Sequence, residues 1–167
     1  IQLIAIDDGS ADDTWEWIQK AKSQLGSFLT IHQQEQNLGK REALYKGFQL
    51  ASGDVIVTIN SDSLIEVNTL RNLVSPFVVD PQCGAVAGNV KIHNLKGAII
   101  PQMLNVSFAF SFGFVRAAQS AMKTVLCTPG ALSAYRRTAV MACLNEWINQ
   151  TFLGVKTDIG EDRAMTN

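Results

Sequence analysis

The sequence has few cysteines and almost no net charge, and each shortage excludes a class of protein. Its three cysteines, Cys83, Cys127 and Cys143, lie far apart and form no CxxC pair. This number and spacing argue against a disulfide framework and favour a reducing, cytosol-facing environment. Fourteen basic residues against fifteen acidic ones give a net charge of -1. Without a basic surface there is no electrostatic footprint for nucleic acid, so we expect no nucleic-acid partner.

The sequence also lacks a clean membrane-spanning segment. The nearest candidate is the uncharged stretch 97–115, which Pro101, Gln102 and Asn105 interrupt. One interpretation is a buried or amphipathic helix, because such interruptions are costly in a bilayer. The other is a helix at the membrane surface, with aromatic side chains near the lipid and basic ones at the headgroups. The aromatic residues are Phe108, Phe110, Phe112 and Phe114, and the basic residues are Arg116 and Lys123.

The composition is otherwise typical of a folded domain. Hydrophobic residues make up 47% of the 167 residues and charged residues 17%. These proportions argue against disorder, and the length suits one domain, 1–167, with a packed core. The chain begins at Ile1 inside an apolar run, without an initiator Met or a signal peptide. We therefore expect a piece of a longer polypeptide.

Short apolar runs alternate with segments of helical periodicity. Strands are predicted at 2–6, 28–32, 54–59, 84–92 and 132–135. The first helix is predicted to start at a capping box formed by Ser10 and Asp13 and to end at Gly26. Further helices are predicted after the turn at 37–40, around 70–77 and over 138–147. This alternation predicts an α/β domain with a largely parallel central sheet.

Acidic residues follow two of the predicted strands. Asp7 and Asp8 come after the first strand, and Asp62 comes after the third. In an open α/β sheet, ligands bind beyond the carboxyl ends of the strands. Carboxylates gathered there repel one another unless a cation intervenes, and Mg²⁺ or Mn²⁺ bridging a diphosphate suits them. The alternative is that each aspartate only accepts backbone hydrogen bonds within its turn.

Few other residues indicate chemistry. Lys40 lies at a predicted helix start, where a cation and backbone N–H groups favour phosphate, although such a lysine is also often only solvated. No P-loop or dinucleotide fingerprint is present. We interpret Cys127 as a packed thiol rather than a nucleophile. The adjacent carboxylates of Glu161 and Asp162 offer one group for orientation and one for general base catalysis.

Six motifs in this order resemble the inverting glycosyltransferases of family 2. The opening ones are IDDGS at 6–10 followed by Asp13 and Thr14, NLGKREAL at 37–44, and NSD at 60–62. PGALSAYRR at 129–137 is similar to the processive synthases. NQTFLG at 149–154 and GEDRAMTN at 160–167 are similar to hyaluronan synthases and nodulation chitooligosaccharide synthases. The resemblance covers nearly the whole chain.

The resemblance implies the GT-A nucleotide-sugar-binding fold and a UDP-sugar donor. By it, Asp7 and Asp8 match the motif that holds the uracil and ribose, and Lys40 lies near the nucleotide. Asn60 and Asp62 match the Asp-x-Asp motif, in which Asp62 is the ligand for Mg²⁺ or Mn²⁺ on the diphosphate.

The resemblance also implies the acceptor side of the site. Asp162 matches the catalytic base that deprotonates the acceptor hydroxyl, and Glu161 lies beside it. The acceptor side is further lined by the four residues Cys127, Thr128, Pro129 and Gly130. Inversion at the anomeric carbon needs one positioned base and no covalent intermediate.

The chain departs from the family pattern in three ways. Asn60 replaces the first Asp of Asp-x-Asp and removes a charge from the expected metal site. The family's first strand and loop, which lie upstream of the strand at 2–6, are absent, so we expect a fold that is incomplete at its N-terminus. The Gln-x-x-Arg-Trp motif and the membrane helices expected after Asn167 are also absent.

These features predict the catalytic domain of a membrane-embedded processive glycosyltransferase at the cytosolic face of the plasma (inner) membrane. It would add N-acetylglucosamine, glucuronic acid or both to a growing hyaluronan-like or chitin-like chain, with the 98–116 helix at the membrane interface. One alternative is a non-processive family 2 transferase that adds one sugar to a lipid or cell-wall acceptor. The other is an inactive nucleotide-sugar-binding module that has lost catalysis through Asn60.

Overall fold

The computed structural model describes residues 1–93, 95, 98–157 and 159–166, and the chain divides into two compact units. The first unit contains residues 1–56 and 137–161. The second contains residues 57–136 and the residues from 162 onward. The single domain predicted from length is therefore two units, and the chain passes between them three times.

The elements alternate between strands and helices over most of the chain. In order they are β1 (Leu3–Asp7), α1 (Thr14–Leu25), a 3₁₀ turn (Gly26–Phe28), β2 (Leu29–Gln33), α2 (Lys40–Leu50), β3 (Val55–Ile59), α3 (Thr69–Val79), β4 (Ala85–Ala87), α4 (Ile99–Phe108), a π-helix (Ala109–Val115), α5 (Arg116–Ala121), β5 (Leu132–Arg136), α6 (Arg137–Ile148), β6 (Thr151–Phe152), β7 (Val155–Lys156) and α7 (Glu161–Thr166).

The first unit is built on a parallel strand pair. β1 and β2 run in register from the Leu3–Leu29 pair to the Asp7–Gln33 pair, which confirms the predicted parallel pairing. Helix α1 connects them and ends at Gly26, whose φ of 58° allows the predicted stop. The core lies between α2 and α6, and its buried apolar residues are Leu29, Phe48, Ala51, Ile56, Val140, Leu144, Trp147 and Ile148.

A three-stranded sheet has the order β3, β5, β4, and the second unit contains β4, β5 and the residues of β3 from Val57 onward. Strand β4 pairs antiparallel with β5, from Ala85–Tyr135 to Ala87–Ser133. The alternation of strands and helices does not predict this antiparallel pair. All residues of β5 except Arg136 are buried, so this strand is the rigid centre of the unit.

Two local predictions are wrong. The strand predicted at 84–92 is limited to Ala85–Ala87. The strand ends before Gly88, whose N–H donates to the Leu132 carbonyl oxygen at 3.0 Å. This approach is so close that a Cβ at position 88 would lie 2.7 Å from Leu132. The capping box is also not formed, because the Ser10 hydroxyl donates to the buried Asp7 carboxylate instead.

The uncharged stretch forms α4 and the π-helix, and none of the residues 98–115 is buried. The buried form of the first interpretation is therefore wrong, whereas its amphipathic form is not contradicted, since Phe108 and Phe112 are half-buried. Residue 97 of the predicted stretch lies outside the described residues. The exposed large apolar residues of the stretch are Ile99, Ile100, Met103, Leu104, Val106, Phe110 and Phe114. Within the described residues, no helix is both long enough and apolar enough to cross a bilayer.

Candidate functional site

In the first unit, Asp8 fixes the turn that leads into α2. Its Oδ1 accepts from the Leu38 N–H and its Oδ2 from the Gly39 N–H, both at 2.9 Å. Gly9 has a φ of 67°, and a Cβ there would lie 2.5 Å from the carbonyl carbon of Gln36. The Asp8-Gly9 pair after β1 therefore allows the turn after β1 and the segment before α2 to approach each other.

The neighbouring Asp7 is 2% exposed at the end of β1. Its Oδ1 accepts from the N–H and hydroxyl of Ser10, and its Oδ2 accepts from Gln33 Nε2 at 3.1 Å. The contacts of Asp7 and Asp8 match the alternative in which an aspartate stabilises a turn. Their contact with a nucleotide stays a prediction.

Helix α2 begins with Lys40, whose Nζ lies 3.2 Å from Glu161 Oε1. Glu161 is held from its backbone as well, because its carbonyl oxygen accepts from Trp147 Nε1 at 2.9 Å. The first unit thus brings together two site residues that the sequence places far apart. The Lys40 ammonium is neutralised in part by this carboxylate.

Sequence reasoning missed the role of Arg41, which is 2% exposed. Its Nη1 donates to the Trp147 carbonyl at 2.8 Å and to Gln150 Oε1 at 3.2 Å, and its Nη2 donates to the Ile159 carbonyl at 3.4 Å. The guanidinium carbon also lies 5.2 Å from the Trp147 ring centroid. Arg41 therefore ties the end of α6 and the segment before Glu161 to the start of α2.

In the second unit, Asp162 is bound to the loop before β5. Its Oδ2 accepts from the Gly130 N–H at 3.1 Å. The next residue, Ala131, accepts from the Asn60 N–H at 3.2 Å through its carbonyl oxygen. The turn that carries Asn60 and Asp62 and the helix that carries Asp162 are therefore attached to the same short loop.

A cavity of about 330 Å³ lies beside this loop in the second unit. Its lining includes Ser107, Phe108, Phe112, Arg116, Gly130 and Asp162. The Arg116 guanidinium lies 4.1 Å from the Phe112 ring centroid, and it donates to the Cys127 carbonyl and to the Ser111 hydroxyl. The cavity thus combines an aromatic wall, polar groups and one carboxylate.

Cys127 is partly buried just before this loop. Burial raises the pKa of its thiol above the ordinary value of 9.0, and the negative charge of Asp162 raises it further. The raised pKa fits the interpretation of Cys127 as a packed thiol rather than a nucleophile.

We expect alkylation of Cys127 to depend on the charge of Asp162. In the parent protein the rate of iodoacetamide labelling should rise with pH and reach its midpoint above pH 9.0. Asp162→Asn removes the charge and lowers the thiol pKa, so labelling at pH 8 should be faster than in the parent protein. Peptide mapping by mass spectrometry separates Cys127 from Cys143, whose labelling should not change. Equal rates in both proteins would contradict the proximity of Cys127 and Asp162.

The turn at 60–62 carries two side chains with oxygen donors for a divalent metal, Asn60 and Asp62. No group of three or more His, Cys, Asp or Glu side chains converges within the residues that the structure describes. Asp62 is exposed, and its carboxylate has no hydrogen bond or ion pair with the described residues. A free carboxylate beside the Asn60 amide fits Mg²⁺ or Mn²⁺, which take few protein oxygens when a diphosphate supplies the others.

The structure brings together some of the predicted site residues. Lys40 and Glu161 form an ion pair in the first unit. In the second unit, Asp162, Gly130 and the turn from Asn60 share one loop. Asp7 and Asp8 belong to the first unit and Asp62 and Asp162 to the second. The sequence did not identify four residues of the site: Arg41, Arg116, Tyr135 and Thr166. All of them except Arg116 lie within the quoted motifs.

Comparison with known proteins shows the family to which the chain belongs. A model of the family described as "Glycosyl transferase family 2" matches residues 1–144. The chain is 32% identical over 170 residues to a hyaluronan synthase of Streptococcus pyogenes, covering 99% of this chain and 40% of that protein. It is 33% identical over 171 residues to an N-acetylglucosaminyltransferase of Rhizobium meliloti (strain 1021), covering 99% and 39%. The chain therefore spans about 40% of the length of these relatives.

Among solved structures, the chain is similar to the mannosyltransferase PcManGT of Pyrobaculum calidifontis, solved in complex with GDP-Man and Mn²⁺. The TM-score is 0.70 at 25% sequence identity, and the match covers 98% of this chain and 40% of the mannosyltransferase chain. The similarity extends over nearly all of this chain.

Proposed function

We propose, since the chain belongs to glycosyl transferase family 2 and has its GT-A fold, that it transfers a sugar from a UDP-sugar to a growing polysaccharide with inversion. The sugar is N-acetylglucosamine, glucuronic acid or both. This choice is supported by the relatives named hyaluronan synthase and N-acetylglucosaminyltransferase. The protein would work at the cytosolic face of the plasma (inner) membrane.

The observation that carries the proposal is the placement of Asp162. Its carboxylate lines the cavity and is oriented by the Gly130 N–H. In the proposed reaction, one carboxylate oxygen removes the proton from the acceptor hydroxyl while that hydroxyl oxygen bonds to the anomeric carbon. The bond from the anomeric carbon to the UDP oxygen breaks on the opposite face, and UDP leaves with the bonding electron pair. One base and no covalent intermediate account for inversion.

The acceptor would occupy the cavity next to Asp162. Phe108 and Phe112 offer apolar faces to sugar rings, and Ser107 offers a hydroxyl. The segment Cys127, Thr128, Pro129 and Gly130 forms the adjoining loop. Glu161 would act on the acceptor side only indirectly, because its carboxylate pairs with Lys40.

Donor binding would use the first unit. The turn that Asp8 holds presents the start of α2, where Lys40 lies beside the free N–H groups of the helix. This combination favours the phosphates of a nucleotide sugar. Asp7 and Asp8 would support this turn and contact the nucleoside with their remaining lone pairs.

Asp62, with the amide oxygen of Asn60, would hold Mg²⁺ or Mn²⁺. A bound ion supplies Lewis-acid neutralisation of the departing diphosphate. The free, exposed carboxylate of Asp62 supports this role, and so does the Mn²⁺ in the similar mannosyltransferase structure.

We expect Asn60→Asp to strengthen Mn²⁺ binding in the presence of UDP by about 30-fold. The added charge lies in an exposed turn, where one unit charge 4 Å from a divalent ion contributes about 2 kcal/mol in water. Titration calorimetry on the full-length protein measures the change. Asp62→Asn is the matched control, since it removes a charge from the same turn and should abolish measurable Mn²⁺ binding. Unchanged Mn²⁺ affinity in Asp62→Asn would contradict the assignment of this turn.

The exposed apolar side of α4 and the π-helix would rest on the membrane, as its seven large apolar side chains support. In proteoliposomes of the full-length protein, Phe110→Trp should show strong extra fluorescence quenching by brominated lipid. Val78→Trp in α3 is the control, because Val78 is 81% exposed but lies outside this stretch. Equal extra quenching at both positions, or none at position 110, would contradict membrane contact.

The activity is tested directly with the full-length protein in membranes. Radiolabelled UDP-N-acetylglucosamine, alone and with UDP-glucuronic acid, is supplied with Mg²⁺ or Mn²⁺, and the product is sized by gel filtration. A long polymer supports the proposal. A product with one added sugar supports the non-processive alternative, and UDP binding without any product supports the inactive module.

A further inference from the structure

A chain of hydroxyl groups connects the centre of the second unit to the helix that carries Asp162. Tyr135 of β5 is 4% exposed and Thr128 is 0% exposed. The Tyr135 hydroxyl lies 2.7 Å from Thr128 Oγ1, which lies 2.8 Å from Thr166 Oγ1. Thr166 Oγ1 donates to the Asp162 carbonyl oxygen at 2.8 Å.

The direction of these hydrogen bonds follows from counting protons. Each hydroxyl has one proton to donate and two lone pairs to accept with. Thr166 uses its proton on the Asp162 carbonyl oxygen, so it must accept from Thr128 Oγ1. Thr128 has then used its own proton and must accept from the Tyr135 hydroxyl. The chain therefore runs in one direction, from Tyr135 through Thr128 and Thr166 to Asp162.

The start of this chain is fixed and keeps its proton. Tyr135 lies in the buried strand β5, paired with Ala85 of β4. Burial raises the pKa of the Tyr135 phenol above its ordinary value of 10.0. The phenol is therefore a donor throughout the neutral range.

Asp162 is thus held at two points by one loop. The Gly130 N–H binds its carboxylate. Two residues earlier, Thr128 binds Thr166 through both its N–H at 3.1 Å and its hydroxyl, and Thr166 binds the Asp162 carbonyl. Two anchors on the same short helix restrict the rotation that would turn the carboxylate away from the cavity.

We infer that Tyr135, Thr128 and Thr166 are positioning residues that keep the Asp162 carboxylate aimed into the cavity. The inference rests on the proposed function, in which Asp162 is the base. It assigns to these three hydroxyls, two of them buried and that of Thr166 partly buried, a part in orientation rather than in contact with substrate. It also explains why a polar residue occupies a fully buried position at Thr128.

The test compares Thr128→Val, Thr128→Ser and Thr138→Val in the full-length protein. Thr128→Val keeps the shape and removes the hydroxyl, whereas Thr128→Ser keeps the hydroxyl. Thr138→Val makes the same change at an exposed position of α6. Thr128→Val should lower kcat about 10- to 100-fold with the donor KM unchanged, as expected for a misaimed catalytic group. Thr128→Ser should recover most of the loss, and Thr138→Val should match the parent.

Amide hydrogen exchange at Gly130 gives a second readout that does not depend on turnover. Thr128→Val should speed exchange of the peptide containing Gly130, because the loop loses the hydrogen bond from the Thr128 hydroxyl to Thr166 in α7. Tyr135→Phe should speed it to a smaller extent, because the Thr128 hydroxyl loses the bond from Tyr135 but keeps its own bond to Thr166. A parent-like kcat and parent-like Gly130 exchange in Thr128→Val would overturn the inference, and so would failure of Thr128→Ser to restore them. If Asp162→Asn retains full transfer, the proposed base is wrong, while the exchange data still decide whether the hydroxyl chain holds the loop.

Discussion

Asp162→Asn is expected to reduce sugar transfer by about 1,000-fold or more, because a positioned general base contributes about 100- to 10,000-fold. Asparagine has nearly the same size as aspartate, and its Oδ1 can still accept from the Gly130 N–H. The loop and the cavity should therefore keep their shape while the proton acceptor is lost. Initial rates with labelled UDP-N-acetylglucosamine in membranes measure the effect.

The loss should lie in the chemical step and not in donor binding. UDP affinity in the presence of Mn²⁺, measured by calorimetry, should equal that of the parent protein. Glu161→Gln is the matched control at the adjacent position. Because Glu161 neutralises part of the Lys40 charge at 3.2 Å, its loss should lower the donor KM and reduce kcat far less than Asp162→Asn does. Transfer by Asp162→Asn at a tenth of the parent rate or more would contradict the role of base.

Arg41→Met is expected to destabilise the first unit by about 2 to 4 kcal/mol, because it removes a buried guanidinium that donates three hydrogen bonds to one buried and two partly buried acceptors. These acceptors are the carbonyl oxygens of Trp147 and Ile159 and the side-chain oxygen of Gln150. Methionine fills similar space, so the decrease in the free energy of unfolding comes from the lost hydrogen bonds and the lost contact with the Trp147 ring rather than from a cavity. Urea unfolding followed by tryptophan fluorescence measures it, since Trp147 lies in this core.

Two further variants make this prediction specific. Arg41→Lys keeps the charge but loses the planar guanidinium, so we expect it to be destabilised nearly as much. Arg71→Met removes an exposed arginine from α3 in the second unit and should change stability by less than about 0.5 kcal/mol. If Arg41→Met unfolds at the parent urea concentration, Arg41 does not hold the segment before Glu161.

Local patterns predicted much of the fold, because strand and helix signals act over a few residues. The β1–β2 pair follows from two apolar runs joined by an amphipathic helix, and the stop at Gly26 follows from its tolerance of positive φ. The antiparallel β4–β5 pair could not be predicted in this way. Its partners lie in distant segments, and its short length depends on the close contact of Gly88 with Leu132.

Burial of polar groups accounts for the main differences from the predictions. Composition rules place arginine at the surface, yet Arg41 is buried because carbonyl oxygens of the segment after α6 surround it. The pattern of Ser10 and Asp13 matches a capping box, but the buried Asp7 carboxylate takes the Ser10 hydroxyl. Tertiary contacts decide which acceptor receives the hydroxyl proton, and the spacing of residues along the sequence does not show these contacts.

Motifs identified the residues of the candidate site, but they did not predict its geometry. GEDRAMTN identified Asp162 by resemblance, whereas its bond to Gly130 joins residues 32 positions apart. The same holds for Thr128 and Thr166, which are 38 positions apart. The exposed state of 98–115 also depends on tertiary structure, because an uncharged stretch fits a buried helix as well as a surface one.

The central claim is that the Asp162 carboxylate faces the hydroxyl that attacks the donor sugar. A structure of the full-length protein with UDP, Mn²⁺ and a short oligosaccharide acceptor measures this most directly. We predict that the reactive hydroxyl of the acceptor lies within about 3.2 Å of an Asp162 carboxylate oxygen, or joined to it by one water molecule. An acceptor bound with that hydroxyl against another side chain, and Asp162 beyond the reach of one water molecule, would contradict the claim.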